Sequence, residues 1–386
     1  MPFYHKLGEI PRVKHTTFYK PDGKSLYREE LISSKGFSGV YSNVYHHHLP
    51  TAVKTVKEIS MHKETSWAEA PVLYYHCFSA NKKSGGNFID SRNEYFVNPS
   101  CKISTAHVTK DSDDFYRNAL GAEYIFIHHG SGTLLSHFGA IKFSEGDQLI
   151  IPRATTYQMK FDNFDNNKLL IVESDSAYEI PSHFKNGYGQ MEEHAPYCER
   201  DFRLPEFTEP NIDTGEFRII VKAKERFFEH IVPNHPFGVV GWDGYLYPYA
   251  FNIKDYHPKV GRIHLPPPIH LAFVTGGFII CNFVPRLYDF HDSAIPAPYF
   301  HSNIDSDEVL YYVEGDFMSR KGIQEGSFTL HPGGLPHGPQ PGRTEDSVGA
   351  KETNEWAVMI DTFAPLAPTT NVKDTIDKDY AQSWLE

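Results

Sequence analysis

The chain has 386 residues, beyond the roughly 250–300 at which a single hydrophobic core stops growing, so two packed domains are expected. With 40% hydrophobic and 22% charged residues it reads as a folded globular protein, and a formal net charge of −12 argues against nucleic acid or an anionic membrane as partner. The start, MPFYHKLGEIPRVKH, lacks the apolar core of a signal peptide, and the longest apolar stretch, LAFVTGGFIICNFV, is glycine-broken and too short to span a bilayer, so a cytoplasmic protein is expected.

Helix is plausible only in short pieces, the first over residues 25–33. His46, His47 and His48 then form a tempting metal tract, but no glycine or proline frame surrounds them, and a surface or inter-subunit role is expected. A second helical piece is predicted over 111–120. The runs AEYIFIHHGSGTLL, GDQLIIP and NKLLIVES read as strands. Residues 178–210 are rich in Pro, His, Glu and Tyr and read as an irregular connector. FRIIVKA is another strand, and HIVPNHPFG marks the expected boundary between an N-terminal domain, 1–235, and a C-terminal domain, 236–386. Beyond it HLAFVTGGFIICNFV, EVLYYVEGDF, GSFTLHP and EWAVMIDTF read as strands, followed by a helical tail over 374–384. Many short strands separated by turn residues suggest a sandwich or barrel. The four cysteines, Cys77, Cys101, Cys198 and Cys281, are scattered without C-x-x-C spacing, so neither a zinc knuckle nor a redox pair is indicated.

The two halves share a repeat. Glu308 is followed seven residues later by Gly315, Gly326 precedes Pro332 by six, and His337 comes five after that. Glu123, Gly130, Gly146, Pro152 and Tyr157 repeat all three spacings. Duplication of one barrel is the expected origin. In the second half His301 precedes Glu308 by seven residues. A carboxylate beside the apolar run Val309–Val313 is costly unless its charge is compensated, and a metal held by His301, Glu308 and His337 would do so. Two imidazoles and one carboxylate on one face suit Fe(II). The corresponding first-half positions are Tyr116, Glu123 and Tyr157, and phenols in place of both imidazoles suggest a barrel that lost its site.

The second-half pattern, H-x6-E-x6-G followed by G-x5-P-x-G-x2-H, resembles the cupin barrels. It departs at Ile295, where that family has a glycine, at Asn303 in place of a second histidine, and at Pro341 in place of an asparagine. PYFHSN, LPHGP and PFGVVGWDGYLYPYAFNIKDY sharpen the resemblance to the homogentisate 1,2-dioxygenase family, most clearly from about Pro236 to Gly342. The resemblance implies a predominantly all-β, two-domain bicupin of jelly-roll barrels with few short helices. It implies Fe(II) on His301, Glu308 and His337, and it places catalytic acid/base roles on His264 and His331. Ring cleavage of homogentisate by O2 to maleylacetoacetate, in tyrosine and phenylalanine catabolism, would follow, with trimer-based hexamers as the assembly.

His270, Phe317, Arg286 and Arg320 are candidate substrate contacts. Phe317 stands where the family carries a tyrosine, and the His301–Glu308 stretch is one residue longer than in better-known members. A lost hydroxyl removes a hydrogen bond that could fix the substrate, so another dihydroxylated acid such as gentisate is the alternative. A metal-binding cupin without oxygenase activity is the alternative from a different class.

Overall fold

In the computed structural model, which describes residues 3–61, 65–82 and 85–385, the apolar runs become strands buried on both faces. Ala122–His129, Asp147–Ile151 and Asn167–Ser174 lie side by side in one large sheet. Along Ala122–His129, Ile125 and Ile127 point into one core and Tyr124 and Phe126 into another. Strand alternation thus divides one continuous apolar run between two cores, which explains why it shows no polar face.

On the Ile125 side a seven-stranded sheet, including Phe115–Asn118, Gly132–Ser136, Thr156–Phe161 and Thr214–Ala223, completes the first cupin unit. On the Tyr124 side a six-stranded sheet belongs to the second unit. Its order is Leu271–Val274, Phe278–Phe283, Trp356–Thr362, Asp307–Glu314, Phe328–His331 and Tyr75–Cys77. Val309, Tyr311, Leu330, Val358 and Ile360 of this sheet meet Tyr124, Phe126, Leu170 and Val172 across the shared core. Each such side chain contributes about 1.5–3 kcal/mol on burial, so this contact fixes how the two units face each other.

The halves are interleaved along the chain. Tyr75–Cys77, from the first half, is the edge strand beside Phe328–His331. Val239–Gly244 and Tyr249–Asn252, which follow the proline-rich stretch, hydrogen-bond to His5–Gly8 and Asp147–Ile151. No helix among the described residues is long and apolar enough to cross a membrane.

Three helical expectations need correction. Arg28–Ser33 is a strand paired with Tyr41–His46, and Glu30 binds His46 across that pair at 2.8 Å. Residues 115–118 of the second piece are also a strand. There Phe115 faces one apolar cluster while Tyr116 enters the first barrel, an alternation that a helix would destroy. The tail has helix only at Thr370–Thr375 and a single turn at Tyr380–Gln382, because side-chain contacts rather than helix propensity pin it. The histidine tract is split among separate partners. His46 binds Glu30, His48 binds the carbonyl of Ile212 at 3.1 Å, and the His47 ring sits 4.9 Å from that of Tyr27.

The first barrel keeps its carboxylate and fills the place a metal would take with a guanidinium. Arg92 donates to Glu123 at 2.7 Å and reaches the hydroxyls of Tyr116 and Tyr157 at 3.4 Å each. Tyr157 in turn donates to Glu123 at 2.6 Å. Lys222 and Arg92 both meet Glu173, so two buried cations balance two buried carboxylates. Removing one member of such a pair leaves a buried charge uncompensated. Arg92→Leu is therefore expected to destabilise the fold by about 3–5 kcal/mol, measured by urea denaturation.

His137 and His270 are buried, and burial pushes each down to about 3. The unfolded chain protonates both near 6.5, whereas the folded one keeps them neutral, so these two groups favour folding above that value and lose this contribution as pH falls from 6.5 towards 3. The unfolding free energy from urea denaturation is expected to fall between pH 7 and pH 5, by up to about 1.4 kcal/mol per pH unit per group.

Candidate metal centre

In the strand Asp307–Glu314, Val309 and Tyr311 face the shared core, which places Glu308 and Leu310 on the opposite face. Glu308 is almost fully buried there. His301 and His337 come from separate segments and form an isolated antiparallel bridge, each backbone N–H donating to the other's carbonyl at 2.8 Å. Their rings lie 4.3 Å apart, with Nε2 atoms 3.6 Å and 3.5 Å from Glu308 Oε2. The turn carrying His337 is fastened from below. Asp307 accepts Gly333 N–H on one carboxylate oxygen and Leu366 N–H on the other, both at 2.7 Å. Gly334 adopts φ +80°, which an L side chain resists, and donates to the carbonyl of Asn303 at 2.6 Å.

The donor set fits a cation. Nδ1 of His337 faces the Leu335 carbonyl at 3.0 Å, and Nδ1 of His301 faces that of Tyr299 at 3.3 Å. A proton on each Nδ1 leaves both Nε2 lone pairs aimed at one carboxylate oxygen. The separations of 3.5–3.6 Å are too long for good hydrogen bonds, and His337 Nε2 is buried with no partner. Burial alone would raise the Glu308 carboxyl, but contacts with His301, His331 and His337 hold it well below its usual range. His301 is raised, chiefly by Glu308. The residues therefore suit a ferrous ion bound by two imidazoles and a carboxylate.

A second group of metal-ligating side chains, His128, His129 and Glu325, converges on the other side of the shared core. Its needs are already met. Lys168 sits 3.2 Å from Glu325 Oε1, and His128 Nδ1 binds the Tyr311 hydroxyl at 2.7 Å.

The remaining predicted residues lie at different places around the centre. His331 is fully buried, with Nδ1 bonded to Glu308 Oε1 at 2.8 Å and Nε2 to the Tyr380 hydroxyl at 3.0 Å. His264 is exposed and bonded to Asp289 at 3.2 Å, and its ring touches Tyr299, which in turn touches the His301 ring. His270 stacks on Phe283, and Arg286 donates to the Val284 carbonyl at 3.4 Å and lies over the Tyr288 ring. Phe317 packs against Tyr312 at 4.5 Å. Arg320 is buried, donates to the Gly338 carbonyl and lies over Trp384.

Two residues here have no counterpart in the sequence reading. Tyr380 leaves no signal in spacing. Asp361 does, being a carboxylate within the apolar strand EWAVMIDTF, at the parity opposite to Val358 and Ile360. It lies directly across from Glu308 in strand register, and its Oδ1 is buried without a partner. Burial and the charge of Glu308 push its carboxyl well above the usual range.

Two cupin units, one with an arginine at its buried carboxylate and the other with two imidazoles and a carboxylate converging, make a bicupin. The homogentisate 1,2-dioxygenase N-terminal profile matches residues 51–253, and the C-terminal profile matches 271–386. A Saccharolobus solfataricus protein with the provisional name of dioxygenase is 39% identical over 100% of this chain and 99% of its own length. Homogentisate 1,2-dioxygenase of Bradyrhizobium diazoefficiens is 26% identical over 70% of this chain, a match spanning 63% of that enzyme. Among solved structures, a cupin 2 conserved barrel domain protein from Leptotrichia buccalis covers 76% of this chain and 98% of its own at 12% identity and TM-score 0.35. A Bacillus subtilis oxalate decarboxylase mutant covers 78% and 80% at 12% and 0.36. The chain belongs to the homogentisate 1,2-dioxygenase family, and hence to the dioxygenases.

Replacing His337 by Ala removes one of three ligands together with the orphaned buried nitrogen. Retained iron after gel filtration, measured by mass spectrometry, is expected to fall from near one equivalent to near zero, with His301→Ala behaving alike.

Proposed function

We propose that this chain is an Fe(II)-dependent ring-cleaving dioxygenase that inserts both atoms of O2 into homogentisate, giving maleylacetoacetate. The observation that carries this reading is the convergence of His301, Glu308 and His337, with one buried nitrogen left unpartnered, in a member of this family. When bound there, iron(II) would acidify a ring hydroxyl and let the electron-rich ring pass electrons to oxygen.

The chain's own side chains would do the rest. One carboxylate and two neutral imidazoles leave a ferrous site with net positive charge, which attracts an anionic substrate. On the same face of the sheet as Glu308, the side chains of Ile279, Cys281, Phe283, Leu310 and Met359 form an apolar wall suited to an aromatic ring. Asp361, with its unpartnered oxygen, is the polar group on that wall opposite Glu308 and can meet a ring hydroxyl. His264, oriented by Asp289, can take the hydroxyl proton at the mouth, where Tyr299 links it to His301. His331 has both nitrogens engaged by protein atoms and would orient Glu308 rather than touch substrate. Arg286, near His270, is the candidate partner for the substrate carboxylate.

A second reading is favoured by Phe317. It packs on Tyr312 and offers no hydroxyl, so another dihydroxylated acid such as gentisate fits the same chemistry. Anaerobic loading with Fe(II) followed by oxygen-electrode assays separates the two. We expect homogentisate-dependent O2 uptake with kcat/KM at least about tenfold above that for gentisate. Uptake with gentisate alone supports the second reading. Absence of uptake with every dihydroxylated acid, in iron-replete protein, overturns both.

A further inference from the structure

We propose that Tyr380, on the C-terminal tail, is a positioning residue that acts through His331 to make Glu308 present one carboxylate oxygen to the metal. This rests on the reading of His301, Glu308 and His337 as metal ligands.

The two oxygens of Glu308 are already divided. Oε1 is 2.8 Å from His331 Nδ1, while Oε2 faces the Nε2 atoms of His301 and His337. A carboxylate only accepts, so the proton between Glu308 and His331 belongs on Nδ1. A neutral His331 then has a bare lone pair on Nε2, and in a fully buried ring that lone pair needs a donor. The Tyr380 hydroxyl supplies it at 3.0 Å. Glu308 thus sets the tautomer of His331, Tyr380 satisfies the nitrogen that tautomer leaves bare, and the ring so held fixes which oxygen of Glu308 is free. Packing holds the ring in place: His331 stacks on His337 with centroids 4.6 Å apart, and Tyr74 meets it edge-on at 6.0 Å. Without the hydroxyl, Nε2 is left buried with no donor, and His331 holds Oε1 of Glu308 less firmly.

The tail that carries Tyr380 is latched to the turn behind His337. Trp384 Nε1–H donates to the Gly338 carbonyl at 3.1 Å, and Gln340 donates to the Ser383 hydroxyl at 2.6 Å. Asp377 binds His76 at 3.0 Å, on the strand that the first half lends to the second sheet. These contacts hold the tail in place, while within it the Tyr380 hydroxyl is the atom that meets His331.

The test compares Tyr380→Phe with Asp377→Asn, which loosens the tail through another contact and keeps the hydroxyl. The readouts are Fe(II) affinity by chelator competition and the visible spectrum of the Co(II)-substituted protein. Tyr380→Phe is expected to weaken affinity about 10–100-fold, as loss of a ligand's hydrogen-bond partner does, and to shift the cobalt bands. Asp377→Asn should leave the bands in place, and Tyr380→Phe should add nothing in a His331→Ala background. Identical spectra in all proteins, or equal shifts in both single variants, overturn the proposal. If the unaltered protein binds neither Fe(II) nor Co(II), the metal reading fails and the proposal fails with it.

Discussion

A carboxylate removed from water must be answered by positive charge, and both halves of this molecule are built around that demand. In the first, Glu123 is answered by Arg92, a permanent cation supplied by the chain, with Tyr116 and Tyr157 closing around it. In the second, Glu308 lies among neutral imidazoles, two of which aim Nε2 atoms at it from beyond good hydrogen-bonding range, a set whose charge a bound cation would balance. The two units thus meet one electrostatic problem in two ways. Only the second brings two imidazoles and a carboxylate together as a donor set that suits an exchangeable cation.

The rest of the architecture serves the second solution. Alternation along Asp307–Glu314 sends Val309 and Tyr311 into the core shared with the first unit and leaves Glu308 on the apolar wall opposite. The first unit therefore backs the sheet that carries the candidate metal centre. It also contributes directly: Tyr75–Cys77 completes the second sheet, and the Tyr74 hydroxyl donates to the Pro336 carbonyl at 2.6 Å, next to His337. Side chains on elements over-determined in this way hold their geometry without help from a ligand.

Much of this was legible in the residues. The strand runs were, because apolar β-branched and aromatic stretches bounded by turn residues have few alternatives. So was the triad, since His301, Glu308 and His337 sit within a glycine and proline pattern whose turns bring them together. The relic site could be read as lost, but Arg92 could not be foreseen, because it comes from a strand outside the repeated pattern. The misread helical pieces at 25–33 and 111–120 show the same limit: short polar stretches become strands only because a partner strand awaits them. Tyr380 depends on contacts distant in sequence, of which single-chain spacing carries no trace, whereas Asp361 was legible as a carboxylate within the apolar strand EWAVMIDTF.

The central claim is tested most directly by an iron-edge anomalous difference map from crystals of the Fe(II)-loaded protein. The account predicts a single peak per chain, bordered by His301, Glu308 and His337, and none beside Glu123. A peak in the first barrel, or an empty map around Glu308 in iron-replete crystals, would contradict it.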